Sequence, residues 1–276
     1  MVVTRIENNI SALNSNRNLT DTQNSLFKAL ERLSSGRSLN RASDGAALLS
    51  ISNNLQAEIT AFNQAIENAS SGVNLANTAE GGLSSTSDNL LRLRELTVQA
   101  GNGALDSTAL QAIQDEADQI VSEIDATGNN TQFADQHLLD GGTDGTRSFS
   151  FQIGSQANQQ VDLEVDDFTA SGLSLSGIDL TTSEGQENAL GAIDQAISDV
   201  SSQRAELGAF SNRLEGTINS LGVASENLAA AESRIGDTDY AAELAQLTSD
   251  QLRTQAGLSA LIQSRIAPQN VLALLS

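Results

Sequence analysis

Few residues of this chain could do chemistry. It has one histidine, His137, and no cysteine, so thiolate nucleophiles, disulfides and thiolate metal sites are excluded. His137 has no second histidine or thiol to share a metal with and reads as a loop residue. The 35 Asp and Glu residues could serve as acids or bases, but they are scattered over what read as helix exteriors. No nucleophile constellation, glycine-rich phosphate loop or ligand cluster is present. The sequence therefore points away from an enzyme and implies no cofactor. It points towards a protein that works by association.

The residues that repeat at a useful spacing are apolar. Stepping by seven from Leu48 gives Leu55, Phe62, Ala69, Ala76, Leu83 and Leu90, and a second row, Ile59, Ile66 and Val73, fails at Glu80. Stepping by seven from Ile193 gives Val200, Leu207, Leu214, Leu221, Leu228 and Ile235. These patterns predict two long helices, roughly 44–100 and 185–235, each with a coiled-coil seam. Ser183 and Gln186 read as a capping box for the second. Between them, Leu110, Ile113, Ala117, Ile120 and Ile124 predict a shorter helix, capped by Asp106 or Ser107 and ended by Gly128. The period then changes to two: Phe149, Phe151 and Ile153, then Val161, Leu163 and Val165, alternate with polar residues. This predicts a β-hairpin around 147–166, followed by a Gly/Ser loop at 171–177.

The ends mirror each other. Residues 4–34 carry Ile6, Ile10, Leu13, Leu19, Leu26, Leu30 and Leu33; Gly36 stops that helix, and Ser43 or Asp44 starts the next. After Ile235 comes Gly236-Asp237-Thr238-Asp239, then an arm with Leu244, Leu247, Leu252, Leu261 and Ile266; Pro268, the only proline, is expected in its last turn or just past it. The expected fold is mainly α, with long antiparallel helices in coiled-coil bundles and one small hairpin in the middle. The expected division is an N-terminal arm and joint (1–43), a helical bundle with the hairpin (44–235) and a C-terminal arm (236–276). Each arm carries only a thin apolar stripe. Burying a leucine gives roughly 2 kcal/mol, while ordering each residue costs about 1–2 kcal/mol, so the arms are expected to become firm mainly on association. The opposite possibility, arms folded back to complete one ordinary helical domain, is open on pattern alone.

A formal charge of −21 argues against nucleic acid and anionic membrane as partners. Residues 101–200 hold 18 acidic residues and one basic residue, Arg147, so the middle of the chain is expected to face water. Aromatics make up 3% with no Trp, which suits seams of Leu, Ile, Val and Ala. No apolar run approaches a membrane span. MVVTRIENNIS has no cleavable signal core, which leaves a cytosolic protein or export by another route.

Five stretches carry a family resemblance: LERLSSGRSLNRASDGAALLSISNNL, LRLRELTVQAGNG, IQDEADQIVSEID with NNTQF, ESRIGDTDYAAEL and the ending PQNVLALLS. In this order they resemble bacterial flagellins over nearly the whole chain. The resemblance implies an extracellular, open helical homopolymer used for swimming. It also implies type III export, a secretion chaperone, and contact with flagellar cap and hook-associated proteins. By the same resemblance Ile6, Ile10, Leu13, Leu26, Leu30, Leu33, Leu244, Leu247, Leu261, Val271, Leu272 and Leu275 would assemble into an inner tube. Gly36, Arg37, Arg41 and Gly236 would form the joints to an outer layer, with the arginines meeting acidic neighbours as subunits stack. Arg92, Leu96 and Glu116 fall where the family's contacts with a vertebrate Toll-like receptor lie. Only about 50 residues separate Asp135 from Glu184, so no outer domains and a comparatively smooth filament are expected. The hook–filament junction protein, and a secreted helical effector or adhesin, are the rival readings.

Overall fold

The computed structural model describes residues 9–275, and the side chains of residues 9–266. Five helices are present among these: α1 (Ile10–Ser35), α2 (Ala42–Ala100), α3 (Ser107–Asn130), α4 (Ser183–Gly236) and α5 (Tyr240–Leu275). Two antiparallel strand pairs lie between α3 and α4: β1 (Gln132–Phe133) with β2 (Gln136–His137), and β3 (Thr146–Gln152) with β4 (Gln160–Asp166). The chain divides into two compact units, residues 1–57 with 227–276, and residues 58–226. The boundaries fall inside α2 and α4, and the turns at Gly36 and Gly236 lie well within the first unit.

The second unit holds the core. Its parts of α2 and α4 run antiparallel, as shown by the pairs Arg94–Asp194 at 2.7 Å, Glu80–Arg204 at 2.8 Å and Asn63–Ser225 at 3.2 Å. Glu80 breaks the second heptad row because Arg204 meets it across the seam. In the main rows Ala69, Ala76, Leu83 and Leu90 pack with Ile193, Val200, Leu207 and Leu214, all buried. The α3 stripe of Ile113, Ala117 and Ile124 is buried in the same core, with Asp106 capping the helix through Ala109 N–H. The hairpin lies on this bundle as its alternation requires, with Val161, Leu163 and Val165 inward, and Phe151 5.8 Å from the Phe210 ring.

Three details differ from the sequence expectation. Helix α3 continues past Gly128 to Asn130. A Cβ at Gly128 would sit 3.0 Å from Thr169 Cα and 3.1 Å from Phe168 O, so this glycine admits the 168–169 backbone instead of ending the helix. The cap of α4 is Thr182, whose hydroxyl accepts from Gly185 N–H. Gln186 reaches instead to the carbonyls of Leu180 and Ala100, the latter left without a helical donor at the end of α2. The Gly/Ser stretch 171–177 is a loop, as expected, and it is anchored to the core by the buried Phe168, Leu173, Leu175 and Leu180. Pro268 is interior to α5, which continues seven residues beyond it. No helix among the described residues is long and apolar enough to cross a membrane.

Candidate functional site

No chemical centre competes for attention among the described residues: no cluster of three or more His, Asp or Glu could hold a metal. His137 is exposed in the tight β1–β2 pair, and its Nδ1–H donates to the carbonyl of Asn129. The feature that singles out a part of the molecule is an imbalance in apolar burial. Among the residues whose side chains are described, only Leu19, Ala29 and Leu39 are buried hydrophobics in the first unit, and the other thirty are in the second. The exposed ones are reversed. Twelve of the fifteen large exposed hydrophobics among the described residues belong to the first unit: Ile10, Leu13, Phe27, Leu30, Leu48, Ile51, Tyr240, Leu244, Leu252, Leu258, Ile262 and Ile266. Such a surface on one region marks association.

Two helices build most of this surface. Helices α1 and α5 pair antiparallel, with Asn9 at Ser264, Gly257 beside Leu19, Arg32 at Glu243 and Gly36 beside Tyr240. The pairing buries one narrow line and leaves the other faces uncovered. Of the expected assembly residues, Ile10, Leu13, Leu30 and Leu244 are exposed, whereas Leu26, Leu33, Leu247 and Leu261 are half-buried against the partner arm. Ile6 lies outside the described residues, as do the side chains of Val271, Leu272 and Leu275.

The joints are built from both ends of the chain. Gly36 takes the left-handed conformation (φ 72°) that ends α1, and its N–H donates to Arg32 O. Arg37 then bridges Asp237 in an antiparallel pair, with Ser38 N–H donating to Gly236 O and Thr238 N–H to Gly36 O. The Arg37 guanidinium donates to Glu232 at 2.6 Å and to Ser52 at 3.1 Å. Arg41 pairs with Glu31 at 3.0 Å. Both arginines thus have acidic partners within their own chain. Asp44 accepts from the N–H groups of Asn40 and Arg41, and the Arg41 amide is the main reason its carboxyl is held below the usual range. The regular part of α2 begins after Gly45, whose backbone is non-helical. Asp239 starts α5 by accepting from Ala241 and Ala242.

In the second unit, Arg92 on α2 and Glu116 on α3 are brought together at 2.7 Å, with Glu95 also on Arg92 at 2.5 Å. The Glu116 carboxylate, ahead of Glu95, holds the Arg92 guanidinium pKa above its ordinary value. Leu96 does not accompany them. It is 1% exposed and belongs to the core, because positions 93, 96 and 100 form the inward stripe of α2. Along α2, the exposed large hydrophobics nearest to Arg92 in sequence are Leu91 and Val98. Sequence reading passed over these two; a stricter assignment of helix faces would have found them. The Asp140–Arg147 pair sits beside the hairpin, and the Arg147 contact lowers the Asp140 carboxyl to about 2.

Residues 6–144 match the N-terminal helical region of bacterial flagellin, and residues 190–275 match its C-terminal helical region. The chain is 41% identical over 302 residues to a flagellin of Bacillus subtilis (strain 168), covering 98% of this chain and 99% of that protein. It is 38% identical over 283 residues to a flagellar filament 33 kDa core protein of Treponema phagedenis, with the same coverage. In structure it resembles a candidate flagellar hook-associated protein from Vibrio parahaemolyticus (TM-score 0.59, 16% identity, 70% of this chain and 100% of that one), a likeness of fold alone.

Proposed function

The chain belongs to the bacterial flagellin family, and from that premise we propose that its first unit is the part through which copies join. The protein is a structural subunit of the extracellular flagellar filament that drives swimming, and is not an enzyme. It polymerises with itself and associates with hook-associated proteins. The short chain leaves out large outer domains, and its full-length likeness to filament proteins disfavours the hook–filament junction reading.

The observation that carries the assignment is the reversal of burial between the units. A core-rich unit can stand alone, whereas an arm pair that leaves Ile10, Leu13, Phe27, Leu244, Leu252 and Ile262 in water gains by being covered. Copies joined through unlike faces propagate into an open helix instead of closing. In this reading α1 and α5 line the inner tube, and the bonded joints at 36–38 and 236–238 hold the step to the outer layer. The uncovered arms are also what a secretion chaperone would shield before type III export. We place the Toll-like receptor contact at Arg92 and Glu116, with Leu91 and Val98 as the apolar surface beside them. Leu96 would act by packing beneath. Arg92→Asp should then abolish receptor signalling by monomer.

The decisive experiment is removal of residues 240–276. The shortened chain should form no filament by electron microscopy or sedimentation, while the thermal transition of residues 58–226 persists. Filament formation by this truncation would overturn the assignment.

A further inference from the structure

Helix α5 runs through Pro268 to Leu275. Proline has no N–H, so the carbonyl four residues earlier, that of Ser264, loses its helical donor. Another donor replaces it. Asn9 Nδ2–H, 255 positions away in sequence, donates to Ser264 O at 2.7 Å. The Oδ1 of the same amide accepts from Ala12 N–H at 3.1 Å and caps α1. Only one orientation of the amide satisfies both, because the carbonyl needs the NH₂ end and the N–H needs the oxygen. Among good capping residues, Asp offers no donor when ionised, and Ser and Thr carry donor and acceptor on a single atom. Asn presents them on two.

We infer that Asn9 and Pro268 form a matched clasp that sets the register in which the two arms pair. The apolar stripes repeat every three or four residues, so a slip by one turn, about 5.4 Å, would still bring apolar side chains together. It would not bring Asn9 to an open carbonyl, since its new neighbour would already be bonded within α5. The missing rung at Pro268 thus marks one register out of several. The other fixed points of the pair, Leu19 beside Gly257 and Arg32 at Glu243 (3.8 Å), fall in that register. This rests on the reading that the arms are ordered in the filament.

The test is a double-mutant cycle on the full chain, read as the concentration of free subunit left in equilibrium with filaments. Asn9→Asp keeps the capping oxygen and removes the donor. It should raise the free-subunit concentration about fivefold, the worth of one part-buried hydrogen bond. Pro268→Ala gives position 268 an N–H aimed at Ser264 O. In that background Asn9→Asp should shift the concentration by less than about twofold. An Asn9→Asp variant that assembles like the parent, or one that loses equally in both backgrounds, overturns the clasp. A parent chain that leaves no pellet removes the assembly reading, and the clasp with it.

Discussion

Leu252 and Leu83 make opposite predictions for the same substitution. Leu252 keeps 62% of its surface in the isolated chain, whereas Leu83 keeps none. A leucine is worth roughly 2 kcal/mol on full burial, so covering the exposed part of Leu252 in a filament contributes about 1 kcal/mol per subunit. Leu252→Ala should therefore raise the free-subunit concentration roughly fivefold. Alanine is the better helix former, so the melting of the monomer should not fall. Leu83→Ala opens a cavity in a closed core, at a cost of about 2–5 kcal/mol. For a unit of this size that lowers the melting temperature by roughly 5–15 °C. Differential scanning calorimetry of monomer and sedimentation of polymer, run on both variants, separate the two effects. If Leu252→Ala lowers monomer stability and leaves assembly untouched, the arms are ordinary fold elements and the reasoning fails.

Gly36→Ala should cost about 1–2 kcal/mol at the joint, because the residue sits at φ 72°. Gly36→Asn should recover most of it, since Asn tolerates that conformation; equal loss in the two variants, measured as filament dissociation temperature, would refute a conformational cause. Gly128→Ala should destabilise the second unit by about 1–3 kcal/mol, because its Cβ would meet the 168–169 backbone as well as the Thr169 methyl, and the backbone cannot turn aside as a side chain can; calorimetry reads it. Asp140 is held at about 2 by Arg147. Its folded value lies below its unfolded one, so its contribution is complete above about pH 4 and fades as pH falls through 2. Denaturant melts of parent and Arg147→Met should therefore differ at pH 6 by at most about 2 kcal/mol and converge near pH 2.

Much of the architecture was legible in the sequence because its long-range order repeats. Seven consecutive apolar positions at one spacing leave little choice but a seam, and the alternation from Phe149 to Val165 leaves little choice but a hairpin. What escaped was decided by partners that no local pattern names. Gly128 looks like a helix stop until the 168–169 backbone is laid against it. Gln186 looks like a capping residue until the end of α2 is found within its reach. Leu96 is adjacent to charged residues in sequence, yet its angular position on α2 turns it inward. The β1–β2 pair carries Ala134 and Asp135 at positive φ, without the Asn-Gly signal that announces such turns. The apolar stripes of the arms were visible as periodicity, but only the structure divides them into residues the paired arms cover and residues they leave bare.

The tip of the β3–β4 hairpin offers a practical use. Residues 156–160 are exposed, and the seven-residue register between the strands is set by Phe149, Phe151, Leu163 and Val165 gripping the bundle below. A foreign peptide spliced between Ala157 and Asn158 would need only its own ends held close, which those strands already do. With copies joined through α1 and α5 as proposed, the insertion would leave those helices unaltered, and a filament would carry one copy of the passenger on every subunit along its length.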